Sequence, residues 1–176
     1  MYQLSMFDGS VRGAKYLGSG VNASVHDTGD GWVVKRARER DGTLNWLEFC
    51  KHMQDAGEHM PGMPIIDRLV KTEQGYVVTM KRYDSLREDT GFPGFDSVRN
   101  GDIRMERLCA AYVDYANENF ELGEFRSVYG VYDLFNDCHR GNVMVDDPTG
   151  ECEYIITDPD CGSYHEPRRP EEFTLQ

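Results

Sequence analysis

Asp137-Cys138-His139-Arg140-Gly141-Asn142 runs without interruption into the apolar stretch Val143-Met144-Val145-Asp146; Asp147-Pro148-Thr149-Gly150 and then Tyr154-Ile155-Ile156-Thr157-Asp158 follow. Two short β-prone runs on either side of a strong turn sequence predict an antiparallel hairpin. Both ends of that hairpin carry chemistry. A polar loop enters it with a carboxylate, Asp137, and a carboxamide, Asn142. A second carboxylate, Asp158, leaves it. A loop of this length lets Asp137 face one reacting group while Asn142 turns back toward another, and the strand that follows holds both. Asp158-Pro159-Asp160 also reads as an ordinary strand-end turn, so position has to decide its meaning.

Working outward toward the N-terminus, Val128, Val131, Tyr132 and Phe135 recur at three- and four-residue steps and predict a helix over residues 124–135. A longer helical segment reaches roughly Asn119, with Ile103, Arg107, Leu108, Ala111, Tyr112 and Tyr115 on one face. From about Lys81 back, the pattern is different. Lys15-Tyr-Leu-Gly, Ser24-Val-His and Trp32-Val-Val-Lys35 are short strands separated by Gly-rich or Asp-Gly turns. One helix follows, with Thr43 as its expected cap and Gly57 at its end. Strands around Ile65 to Leu69 and Gly75 to Met80 complete a βββαββ order, with the polar residues 71–74 as their turn. The expected fold class is α+β: an antiparallel β-rich lobe over residues 1–82 and a short helical lobe over 83–176, together one bilobal domain.

Three groups in the first half match the needs of phosphate chemistry. Leu17-Gly18-Ser19-Gly20-Val21-Asn22-Ala23-Ser24-Val25 follows the spacing G-x-G-x-x-G-x-V, with Ala23 at the third glycine. Glycines let a backbone approach phosphate oxygens and donate its N–H groups, although two glycines between strands also make a simple turn. Lys35 stands at the end of an apolar strand after that loop, where an ammonium would hold phosphates, or else serve as a solvated edge charge. Glu48, on the following helix between Leu47 and Phe49, is a candidate partner for Lys35. Glycine loop, lysine, glutamate, Asp/Asn loop and acidic strand end occur in the one order that phosphoryl transfer requires.

In that order and in those motifs the chain resembles the protein kinase fold, and more closely the early serine/threonine protein kinases of short-tailed coliphages. The resemblance rests on Lys15-Tyr-Leu-Gly-Ser-Gly, Phe49-Cys, the segment over residues 61–66, Asp137-Cys-His-Arg-Gly-Asn-Val-Met and Tyr154-Ile-Ile-Thr-Asp-Pro. It implies that ATP lies between the two lobes. It assigns Asp137, Lys35 and Glu48 to catalysis, Gly18, Ser19, Gly20, Val25, Lys35, Met80 and Tyr83 to the nucleotide, and Asn142 and Asp158 to Mg²⁺. It further implies an enzyme made early in infection, acting in the host cytoplasm on host proteins that include transcription or RNA-processing machinery. Phe135 and Asn136 replace the His and Arg that normally precede the catalytic Asp, which argues against activation through a phosphorylated loop. His139 gives a D-x-H-x-x-N pattern shared with aminoglycoside-type phosphotransferases, which keeps a small-molecule substrate as one alternative. A non-catalytic kinase-like protein that binds and inhibits a host enzyme is another. Eighteen residues follow Asp158, too few for a full substrate-binding lobe, so a minimal core is expected.

Composition narrows the partners. Nineteen basic against thirty-one acidic side chains leave a net charge of −12, which disfavours direct contact with nucleic acid or anionic lipid and favours basic protein surfaces, while also serving solubility. No run of eighteen apolar residues is present to span a membrane, and the N-terminus does not read as a secretory signal. The five cysteines are odd in number and form no Cys-x-x-Cys pair, so free thiols are expected rather than a disulfide framework or zinc site.

Overall fold

The computed structural model describes residues 13–85, 103–120, 141–146 and 153–159. The chain is α+β, with a mostly antiparallel sheet and two helices among the described residues. It divides into two compact units: Met1–Arg40 with Ile65–Arg82, and Asp41–Pro64 with Tyr83–Gln176. The chain therefore leaves the first unit at Asp41 and returns to it at Ile65, an excursion the sequence pattern does not signal.

The first unit is a five-stranded antiparallel sheet. Strands β1 (Lys15–Ser19), β2 (Ala23–Asp27), β3 (Trp32–Ala37), β4 (Ile66–Lys71) and β5 (Tyr76–Lys81) lie in the order β1-β2-β3-β5-β4. The three-strand meander and the later pair expected from the turns are all present. β5 alternates buried and half-buried residues along its whole length, with Tyr76, Val78 and Met80 facing inward, the signature of a strand with one face on a core. Register carries that face across the sheet. Val33 opposes Met80, Lys35 opposes Val78 and Ala37 opposes Tyr76, so these six side chains share one face. The β4–β5 turn closes tightly: Thr72 N–H donates to Gly75 O at 2.8 Å, and Gly75 N–H to Thr72 Oγ1 at 2.9 Å. A Cβ on Gly75 would lie 2.2 Å from the Ala37 carbonyl oxygen, so only glycine fits there.

The second unit is built on helix α1 (Gly42–Asp55), helix α2 (Ile103–Asn119) and a three-stranded sheet. That sheet comprises β6 (Asp84–Ser85), β7 (Val143–Asp146) and β8 (Glu153–Ile156) in the order β6-β7-β8. Gly57 ends α1 as expected. It takes φ +77°, Gly57 N–H donates to Gln54 O at 3.1 Å, and Glu58 N–H reaches Met53 O at 2.8 Å, the paired bonds of a Schellman motif. At the other end the expectation fails. The cap is Asp41, whose side chain makes no capping bond, and Thr43 lies inside the first turn with its hydroxyl turned to Asp158.

Leu44, Trp46, Leu47, Phe49 and Cys50 on α1 are wholly buried, and each large apolar side chain among them contributes about 1.5–3 kcal/mol. Against them pack Tyr112 and Tyr115 of α2, with ring centroids 5.1 Å apart for Trp46–Tyr112 and 5.2 Å for Phe49–Tyr115. The buried face of α2 is Leu108, Cys109, Tyr112, Tyr115 and Ala116. Arg107, placed on the apolar face by periodicity, is exposed instead, as its guanidinium requires. β6 is a further departure from the helical pattern expected after Lys81: Asp84 pairs with Val145 and Ser85 with Met144. A two-residue strand is too short for a period to reveal. The helix expected over residues 124–135, the Asp137 loop, the 147–150 turn and the polar tail lie outside the described residues.

Candidate functional site

In the first unit the ladder itself gathers most of the nucleotide candidates. Gly18 opposes Val25, Val25 opposes Lys35, and Lys35 opposes Val78, while Met80 lies two residues from Val78 on the same strand. Directly opposed residues point to the same side of a sheet, so Val25, Lys35 and Met80 stand on one face. Lys35 is only 9 % exposed in the central strand β3, between Val33, Val34 and Ala37, which are also buried. A solvated edge charge would not be held there, since an ammonium loses water at considerable cost unless partners replace it. Arg38, the nearby alternative, is exposed.

Gly18 and Gly20 sit in and just after β1, and a Cβ on either would meet nothing within 4 Å. Neither adopts the positive φ that reserves Gly13, Gly29 and Gly31 for glycine. The fold therefore does not require glycine at positions 18 and 20, whereas close approach of a ligand to the backbone would. Val21 at the tip of this hairpin is 98 % exposed. Gly20 N–H is bonded to Ala23 O at 2.9 Å.

The segment after β5 is anchored. Lys81 N–H donates to Ile65 O at 2.9 Å and Arg82 N–H to Gly31 O at 2.8 Å, so neither of these two N–H groups is left for a purine. Arg82 Nη1 bonds Asp27 Oδ2 at 2.5 Å, and the other oxygen of Asp27 accepts Gly29 N–H at 2.8 Å. The β2–β3 turn and the end of β5 thus hold each other. Sequence reading missed Asp27 and Arg82, which lie 55 residues apart with no motif to link them.

In the second unit the β7–β8 hairpin forms as expected, with Val143 opposite Ile156 and Met144 opposite Ile155. That register puts Asn142 and Asp158 at the same end. Thr157 ties them, its N–H donating to Asn142 O at 2.9 Å and its hydroxyl to the same oxygen at 3.0 Å. Both Asn142 and Asp158 are half-buried, and Pro159 behind them is buried. Among the described residues no three His, Cys, Asp or Glu side chains gather into a metal cage. Mg²⁺ does not need one, because it keeps several waters and takes one or two carboxylates plus phosphate oxygens. One carboxylate and one carboxamide from adjoining strand ends fit that ion by the chemistry of their oxygens.

Glu48 lies in the middle of α1 at 3 % exposure, with its charge acting on Tyr115. Burial first, then the Glu48 charge and then Cys50, pushes the Tyr115 phenol well above its usual range. The Tyr115 hydroxyl has no hydrogen-bond partner among the described residues. The Cys50 thiol is likewise pushed up by burial, and Cys50 and Cys109 are buried outside any disulfide. Lys35 and Glu48 belong to different compact units, so their pairing stays an expectation. Asp137 lies outside the described residues, and Tyr83 is half-buried at the start of the second unit.

No family model matches the chain, and no curated protein matches it either. Among the described residues no helix is long and apolar enough to cross a membrane.

Proposed function

We propose that this chain is a phosphotransferase of the protein kinase type, a phage-type serine/threonine kinase that moves the γ-phosphoryl group of ATP to a hydroxyl of a host protein. The observation that carries the reading is the hairpin end at which Asn142 and Asp158 are tied together through Thr157. The common sheet face of Val25, Lys35 and Met80 supports it from the other unit.

In this reading the Lys35 ammonium binds phosphate oxygens and Glu48 holds it in place. The backbone at Gly18, Ser19 and Gly20 covers the phosphates, and Val25, Met80 and Tyr83 bound the purine. Asn142 and Asp158 hold Mg²⁺, which when bound offsets phosphate charge. Asp137 orients the acceptor hydroxyl and takes its proton, a contribution of about 10²–10⁴ in rate. The host cytoplasm and a target in transcription or RNA processing belong to the proposal as well.

The test is the purified chain with labelled ATP, Mg²⁺ and host lysate. Labelled protein bands that vanish with Asp137→Asn, while that variant still binds Mg·ATP by calorimetry, are the expected result. Asp158→Asn should lose both Mg²⁺-dependent ATP binding and turnover. Loss of Mg·ATP binding in Asp137→Asn with normal binding in Asp158→Asn would reverse or end these assignments. The second reading is a kinase-like protein that binds Mg·ATP and inhibits a host enzyme without transferring phosphate. Thermal stabilisation by Mg·ATP with no labelled product would select that reading.

A further inference from the structure

We propose that Thr43 and Trp46 are positioning residues that fasten the first turns of α1 to the end of β8, so that the Asp158 carboxylate is held in a preset orientation for Mg²⁺. The inference rests on the reading of Asp158 as a metal ligand.

Two bonds carry it. The Thr43 hydroxyl donates to Asp158 Oδ1, and Trp46 Nε1–H donates to the Ile156 carbonyl at 3.0 Å. Thr43 and Trp46 are three residues apart on α1 and so lie on one helix face, while their acceptors lie two residues apart in and just beyond β8. The spacing of the helix therefore matches that of the extended chain. Both donors are buried, at 1 % and 0 % exposure, which shields the bonds from competing water. Ile156 N–H also donates to Gly62 O at 2.9 Å, so the segment that follows α1 grips the same strand.

The arrangement suits a ligand carboxylate more than a mere helix cap. A carboxylate has two oxygens and about four lone-pair positions, and the single donor hydroxyl of Thr43 occupies one of them. Partners of this kind fix the direction of a metal-binding carboxylate, and removing them typically costs about 10–100-fold in metal affinity. The first turn of α1 has no acidic side chain of its own, and its positive end further favours the Asp158 anion. In the general kinase pattern a Phe follows the metal-binding Asp. Here Pro159 stands there, and two hydrogen bonds from α1 hold the segment.

The experiment is a Mg²⁺ titration of the full chain at fixed ATP, read by thermal shift and by calorimetry. Thr43→Val keeps the shape and removes the donor. The expected result is an apparent Mg²⁺ affinity weaker by about 10–100-fold, with Thr43→Ser restored to within a few-fold of the wild type. In an Asp158→Asn background the Val substitution should add no further loss. A Thr43→Val protein that melts lower yet keeps the wild-type Mg²⁺ midpoint overturns the proposal and leaves the kinase reading standing. A wild-type chain that binds no Mg·ATP overturns both. If valine prevents folding, Thr43→Ala removes the same hydroxyl without bulk and is judged by the same midpoints.

Discussion

At positions 18 and 20 a methyl group meets open space, and at position 75 it meets a carbonyl oxygen 2.2 Å away. The fold therefore demands glycine at position 75 and does not demand it at positions 18 and 20. Gly75→Ala should destabilise by about 1–3 kcal/mol as the β4–β5 turn is pushed off Ala37, measured by urea unfolding. Gly18→Ala and Gly20→Ala should stay within about 0.5 kcal/mol of the parent, yet weaken ATP binding in calorimetry. Equal ATP affinity in both variants would make these residues plain turn formers. Tyr115 offers a second test. Its buried hydroxyl lacks a hydrogen-bond partner among the described residues, and such a group costs about 1–3 kcal/mol. Tyr115→Phe should therefore raise the melting temperature, and a lower one would mean that the hydroxyl is satisfied in solution.

Elements work through register. β3 is buried on its inward side because it is central, with β2 on one flank and β5 on the other, and Lys35 takes its place on that side by alternation. Lys35→Met keeps the length and apolar stem of the side chain, so the sheet should survive while phosphate transfer falls steeply. Unchanged transfer would remove Lys35 from the site. The end of β5 depends on the Asp27–Arg82 pair, whose Arg is about half exposed, so the pair adds little to stability. Its effect should appear in nucleotide affinity. Arg82→Met is expected to raise KM for ATP with little change in kcat, and Asp27→Asn in the same background should add less than it does alone. Additive effects would show that the two residues act separately.

Across the whole molecule, the aromatic contacts of α1 with α2 make the core of the second unit, and Trp46→Ala should cost about 3–5 kcal/mol. That core also sets a pH response. Burial raises both the Cys50 thiol and the Tyr115 phenol in the folded chain, so the unfolded chain gives up these protons at lower pH. Stability is full below the unfolded thiol value of about 8.5 and falls as pH rises through the unfolded values toward the folded ones. Urea midpoints measured from neutral to alkaline pH should show this fall. Tyr115→Phe should make it shallower above about pH 10, where the unfolded phenol titrates. An identical slope in the variant would assign the alkaline loss to other groups.

Local sequence alone determined the strand meander, a helix near Thr43 with its stop at Gly57, and the β7–β8 pairing, because alternation, helical spacing and turn chemistry act over a few residues. The expected hairpin also made the proximity of Asn142 and Asp158 legible, since antiparallel pairing sets the start of one strand beside the end of the other. Only the tertiary structure decided what Thr43 does. Read as a cap, it instead meets Asp158, 115 residues further along the chain. Tertiary structure likewise set the burial of Lys35, the exposure of Arg107, the Asp27–Arg82 pair and the two-residue strand β6. Each depends on a partner far away in sequence, and a hydroxyl or a charge carries no local mark of which distant group will satisfy it.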